Sequence, residues 1–214
     1  MWYRYVVSER RSAMIQGVIG SILYLLTTAC LMIVVALLFS GSGLFKTSES
    51  ENRSREKILI SIVFGLLAIA GTLMGTEVSG AIANVRELAP LMAGLIGGPI
   101  SGMLAGIIGG IHRYSLGGFT ALPCSVSTVL AGIISGIVSK RIRGRMYLLK
   151  GAILGFAFES AAMALILVLA QPLSQAISAV GQIAVPMITA NTIGLVVYLF
   201  LLNPKSPSET KSRL

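Results

Sequence analysis

Six long apolar runs alternate with short polar stretches along the chain, at roughly residues 13–39, 58–75, 88–111, 120–139, 151–170 and 180–202. A membrane helix needs about 20 mainly apolar residues, so each run predicts one crossing. Between them lie "KTSESENRSREK" at 46–57, a short turn near 112–119, "KRIRGRMYLLK" at 140–150 and "QPLSQAISAV" at 171–180. The fold class predicted is all-α, a polytopic membrane helix bundle of about six transmembrane helices. Its middle is irregular. Gly97, Gly98 and Pro99 interrupt what would otherwise be one helix, because proline lacks a donor and disfavours helical geometry in the residue before it. Backbone broken at membrane depth needs protein or a wet cavity around it, and Gly/Pro-interrupted segments point to binding sites. A structural break or re-entrant turn is therefore expected within 90–99. The remaining glycines, as in "GMLAG" and "GIISG", suit close packing of membrane helices.

Composition agrees with a membrane chain. Apolar residues make up 55%, charged residues 12%, and mean hydropathy is +0.86, against about 25% charged in a soluble domain. The net charge of +9 sits in short segments between apolar runs and is not interleaved with stacking aromatics, which argues against nucleic acid. "RYVVSERRS", "KRIRGRMYLLK" and "KSPSETKSRL" are the basic stretches. Cytoplasmic loops carry excess Lys and Arg, so six crossings predict Met1 and Leu214 both cytoplasmic, with 46–57 on the opposite face. The first run is too long for a signal-peptide core. Cys30 and Cys124 form neither a disulfide scaffold nor a CxxC metal site; Cys30 reads as a small buried hydrophobe.

Two arginines stand inside the apolar middle. Arg86 and Arg113 are 27 residues apart, about 40 Å on one unbroken helix at 1.5 Å per residue. In that arrangement both would be interfacial anchors. With a break near Pro90 or at 97–99 the segment folds back and both guanidiniums approach one cavity, where a carboxylate would match their geometry. Thr120, Cys124 and Ser127 recur on one helical face nearby; they could bond a small carbonyl compound or their own backbone. Glu159 and Asn191 are further intramembrane polar residues, either functional or interhelical glue. His112 is the chain's one histidine and no carboxylate cluster accompanies it, so no metal and no cofactor are expected. No nucleophile–base pair is evident, so no enzymatic activity is expected.

The stretch "NVRELAPLMAGLIGGPISGMLAGIIGGIHRYSLGGFTALPCSVSTVLAGIISG", with "FES" at 158–160 and "VPMITANTIG" at 185–194, resembles the membrane sensor module of the five-transmembrane receptor family of LytS and YhcK. The ordered features are N-x-R, a GGP break, G-x-x-G, H-R, GG-x-T-A and a Cys/Ser helix, and they cover roughly 58–202. Such modules head bacterial histidine kinases and diguanylate cyclases, and some sense small carboxylates such as pyruvate. The resemblance implies that Arg86, Arg113, Cys124 and Ser127 line the ligand site, with Asn84 and Thr120 beside them and Glu159 and Asn191 as secondary candidates. It implies residues 1–57 as an N-terminal segment with the first helix and a loop, 58–202 as the sensor module, and 203–214 as a cytoplasmic tail. It further implies a multi-pass protein of the bacterial inner membrane, a homodimer, an anionic small-molecule ligand, and a cytoplasmic output domain or partner reached through the last helix. No GGDEF-like motif is present, so the chain is expected to be a sensor portion acting through an attached or separate output. A solute-binding transport subunit and a structural scaffold are the competing classes; flux into vesicles would mark the first, and arginines replaceable by lysine or glutamine the second.

Overall fold

The computed structural model describes the backbone of residues 2–41, 53–142, 144 and 146–202. The chain forms α1 (Trp2–Gly41), α2 (Arg53–Leu73), a hairpin of β1 (Thr76–Val78) and β2 (Ala81–Ala83), then α3 (Leu88–Ser115), α4 (Ala121–Val138), α5 (Tyr147–Leu169) and α6 (Leu173–Leu202). All six helices are long and apolar enough to cross a membrane, as the apolar runs predict. Each presents one stripe inward at helical spacing. On α6 the buried positions are Ala176, Ala179, Ile183, Pro186, Met187, Ala190, Asn191, Gly194, Leu195, Tyr198 and Leu199. The opposite faces carry exposed leucine, isoleucine, valine and phenylalanine, as lipid-facing surfaces do.

The two-stranded hairpin is absent from the sequence reading. Thr76 pairs with Ala83 and Val78 with Ala81, and Ser79 (φ 52°) and Gly80 (φ 78°) make the turn. Its strands are three residues long, below what periodicity detects. Residues 171–180 also depart from the expected loop. Helix α6 starts at Leu173, directly after Pro172, and Ala176 and Ala179 are already buried.

The break in α3 falls at Gly98, whose φ of 82° and ψ of −176° lie outside helical geometry. Only glycine adopts that region readily. The chain doubles back there, as the neighbours of α3 along α4 record. Before the break Arg86 bonds Thr128, and Gly94 lies against Gly132, Ser135 and Gly136. After it Pro99 lies on Gly136, Gly102 on Gly132, Gly106 on Thr128 and Val129, and Gly110 on Ser125. The first part of α3 thus runs alongside α4 and the second returns antiparallel to it. Gly102 and Gly132 touch backbone to backbone, leaving no room for a Cβ on either.

These contacts fix which helix ends share a face. Ser101 Oγ donates to the Lys57 carbonyl (3.3 Å), Gly136 meets Pro99, and Gly151 meets Leu199. The start of α2, the Gly98 turn, the end of α4, the start of α5 and the end of α6 therefore lie at one end. The hairpin lies at the other, where Gln182 Nε2 donates to Ser79 Oγ (2.6 Å). Helix α1 runs parallel to α6. Tyr24 reaches the Met74 carbonyl just past the end of α2 (2.9 Å), whereas Met32 packs on Gly71 and Ala29 on Gly194, deeper in.

Met1 and 203–214, expected on one side of the membrane, lie outside the described residues. Two other expectations are corrected. The Gly98 turn adds a partial traverse that a count of apolar runs misses. Residues 46–52 of the loop expected to oppose 140–150 also lie outside the described residues, but the start of α2, at Lys57, lies at the same end as the end of α4 instead of opposing it. Cys30, expected inside, is exposed on the outer face of α1.

Gly98→Ala is expected to lose about 1–3 kcal/mol to backbone strain, and Gly132→Val a comparable or larger amount through overpacking. Thermal unfolding in detergent checks both; unchanged midpoints would contradict the turn and the close helix pair.

Candidate functional site

The doubling back at Gly98 returns α3 to the level at which it started. Arg86, just before α3, and Arg113, in its last turn, consequently meet on the two sides of the first turns of α4. Both are wholly buried, at 0% and 1% exposure. Both lie within electrostatic reach of Cys124, and Arg113 within reach of Arg86. The sequence left open whether these arginines anchor at opposite interfaces or share a site; the backbone brings them together.

Arg86 is held on three sides. Nε donates to Thr128 Oγ1 (2.7 Å), and Nη2 donates to Glu87 Oε1 (2.6 Å) and more weakly to the Cys124 carbonyl (3.4 Å). Thr128 in turn donates to the Cys124 carbonyl (2.7 Å). Ser127 Oγ stands 3.1 Å from Glu87 Oε1 and 2.9 Å from the Cys124 carbonyl, so its one proton can serve either acceptor. Asn84 shapes the approach: its Oδ1 accepts from the Arg86 backbone N–H (3.0 Å) and its Nδ2 donates to the Ile82 carbonyl (2.8 Å).

Arg113 has different neighbours. Nη1 donates to the Gly117 carbonyl and Nη2 to Thr120 Oγ1, each at 2.8 Å. Gly117 and Gly118, with φ of 69° and 85°, turn the chain so that this carbonyl faces back toward α3. Neither acceptor carries a charge. Helices α3 and α4 both begin here, and the positive ends of their dipoles add to the field.

Several buried atoms of this cluster have no hydrogen-bond partner: Arg86 Nη1, Arg113 Nε, Glu87 Oε2, both Glu159 carboxyl oxygens and Asn191 Oδ1. Glu159, on α5, is 0% exposed and lies within electrostatic reach of Glu87 and Arg86. Asn191, on α6, donates to the Asn84 carbonyl (3.4 Å) and the Met187 carbonyl (3.1 Å). Among the described residues no group of three or more side chains could hold a metal. A groove of about 540 Å³ between α3 and α4, lined by Ile107, Tyr114 and Val129 among others, contains none of the site residues.

All eight sequence candidates thus fall in one cluster: Asn84, Arg86, Arg113, Thr120, Cys124 and Ser127, with Glu159 and Asn191 on its far side. Two participants were missed. Glu87 sits beside Arg86 in the sequence, and Thr128 follows Ser127 one helical turn after Cys124, a position that puts its hydroxyl on the same face; those spacings were the available signals.

The family model described as 5TMR of 5TMR-LYT matches residues 42–204. The chain belongs to this receptor family. Among its relatives, the sensor histidine kinase BtsS of Escherichia coli K12 is 38% identical over 192 residues, covering 86% of this chain and 34% of that protein. Sensor histidine kinase YpdA of the same organism is 32% identical over 176 residues, covering 80% of this chain and 31% of that one. Sensor protein LytS of Bacillus subtilis is 30% identical over 203 residues, covering 86% and 34%. The chain spans about a third of the length of these relatives, their sensor portion. No solved structure matches it. Six spans and kinase-sensor relatives make it a multi-pass bacterial inner-membrane sensor of the LytS-like two-component family.

Thr128→Val keeps the shape of this side chain and removes the acceptor for Arg86 Nε. Leaving a buried charged donor unmet costs about 1–3 kcal/mol or more, so thermal unfolding of the variant should begin at a clearly lower temperature; an unchanged midpoint would mean the bond contributes nothing.

Proposed function

We propose that this chain is the ligand-binding membrane module of a LytS-type receptor, taking a small carboxylate such as pyruvate between Arg86 and Arg113. The observation that carries the reading is the convergence of two buried guanidiniums, each with an unpartnered nitrogen, Arg86 Nη1 and Arg113 Nε. Isolated buried charge is costly. A carboxylate accepting from both nitrogens removes the repulsion between the arginines and supplies the missing acceptors. Cys124 and Ser127 stand beside it as weaker donors to the rest of a small molecule.

Occupancy reaches α6 through the Arg86–Asn84–Asn191 contacts, and α6 leads toward a cytoplasmic kinase or cyclase output, acting as a dimer. The change requires that the carboxylate bind two helix arrangements unequally. Basic residues Arg55, Lys57, Lys140, Arg141 and Lys150 support a cytoplasmic Gly98 end and outnumber Arg4, Arg10 and Arg11 on the first part of α1. The site then lies toward the outer half of the membrane, and α1 starts outside.

Pyruvate binding to purified protein, followed by calorimetry or thermal shift, tests the site. Arg86→Gln and Arg113→Gln are each expected to lose about 2–5 kcal/mol of binding, roughly 30- to 5,000-fold, with lysine rescuing poorly because it lacks the planar fork. Near-normal binding by both glutamine variants would reject the site. For sidedness, in a Cys30→Ala background, a cysteine at Ser174 should react with an impermeant thiol reagent from outside. One at Ser54 should react only after the membrane is opened; the reverse order would overturn the assignment.

A further inference from the structure

Charge within the site is unevenly distributed. Arg86 has a carboxylate partner, Glu87, at 2.6 Å, and that carboxylate is itself held by Ser127 (3.1 Å) and approached by Thr128 (3.5 Å). Arg113 is bonded only to a carbonyl and a hydroxyl. Glu159, on α5, lies within electrostatic reach of Glu87 and Arg86, and both of its oxygens are without hydrogen-bond donors. A fully buried carboxyl with no donor is least costly as the uncharged acid, and it enters the charge count in that form. On that count two arginines are set against one carboxylate, leaving one unit of positive charge.

We infer that Glu87 is a specificity-determining residue: by neutralising Arg86 it limits the site to carboxylates of single negative charge and turns away dianions of the same size. This rests on the reading that Arg86 and Arg113 hold the ligand. A monoanion leaves the buried cluster neutral. A dianion leaves one negative charge excess, next to Glu87, in surroundings where like charges in contact cost several-fold to many-fold in affinity. Glu87 is kept in place by its 2.6 Å bond from Arg86 Nη2, with the Ser127 hydroxyl 3.1 Å away as a second donor, so its negative charge stays beside Arg86.

Pyruvate and oxalate provide the test, since oxalate replaces the pyruvate methyl group by a second charged oxygen with little change in size. Wild-type protein should prefer pyruvate to oxalate by on the order of tenfold or more. Glu87→Gln should bring oxalate up relative to pyruvate by at least a similar factor. Glu87→Asp, which keeps the charge and shortens the reach, should retain the pyruvate preference, and Glu159→Gln, which fixes that side chain uncharged, should leave it unaltered. Equal binding of both anions by the wild type overturns the inference without recourse to any variant, as does an unchanged preference in a folded Glu87→Gln protein. Reversal by Glu159→Gln overturns it too, by moving the selecting charge to α5. If Arg86→Gln and Arg113→Gln bind pyruvate normally, the site reading itself has failed. If they lose it while Glu87→Gln keeps the wild-type preference, only the role of Glu87 has. Binding of neither anion to wild type and Glu87→Gln alike overturns both.

Discussion

Two guanidinium groups enclosed in an apolar bundle are the constraint around which this protein is arranged. A charge removed from water must regain hydrogen bonds and opposite charge from the protein. Arg86 regains them from Thr128, Glu87 and the Cys124 carbonyl; Arg113 regains only neutral acceptors. These needs explain why Thr120, Ser127 and Thr128 stand at and near the start of α4 and why the loop after α3 is tied back by Gly117. They also explain why so much of the buried polar surface in the bundle belongs to one cluster.

The arrangement depends on the backbone of α3 and α4. Gly98 permits the reversal, and glycines along both helices permit the close approach that keeps the returning arm against α4. With larger side chains at Gly102 or Gly132 the arms would separate, and Arg113 would drift from Cys124. Stability and the shape of the arginine cluster therefore share the same small residues, which is a reason to expect few substitutions there to be silent.

Much of this was readable in the sequence, because membrane burial leaves strong marks. Apolar runs located the six described helices, Pro99 after two glycines located the break, and the eight polar candidates lie in one cluster. The resemblance to the receptor family, carried by ordered motifs from Asn84 to Gly194, went further than periodicity could, since spacing alone allowed Arg86 and Arg113 to lie far apart. What escaped had physical causes. The three-residue strands of the hairpin are too short to show alternation. The direction of α1 depended on how many traverses the broken segment makes, and charge counting on the loops could not see a turn within the membrane. Glu87 was not among the candidates: adjacency in sequence does not reveal that the pair is buried together.

Asn191 gives the bundle a mechanical property of its own. Its amide reaches the Asn84 carbonyl, and Asn84 in turn holds the backbone of Arg86, so α6 touches the recognition segment through a single intervening residue. From Asn191 to Leu202 the helix continues for eleven residues, about 16 Å at 1.5 Å per residue, without another proline. Along that length Thr192 and Leu195 lie on Gly155 of α5, and Leu199 on Gly151. A displacement beside Arg86 therefore cannot travel down α6 alone: α5 is geared to it, and the two helices form one paired lever.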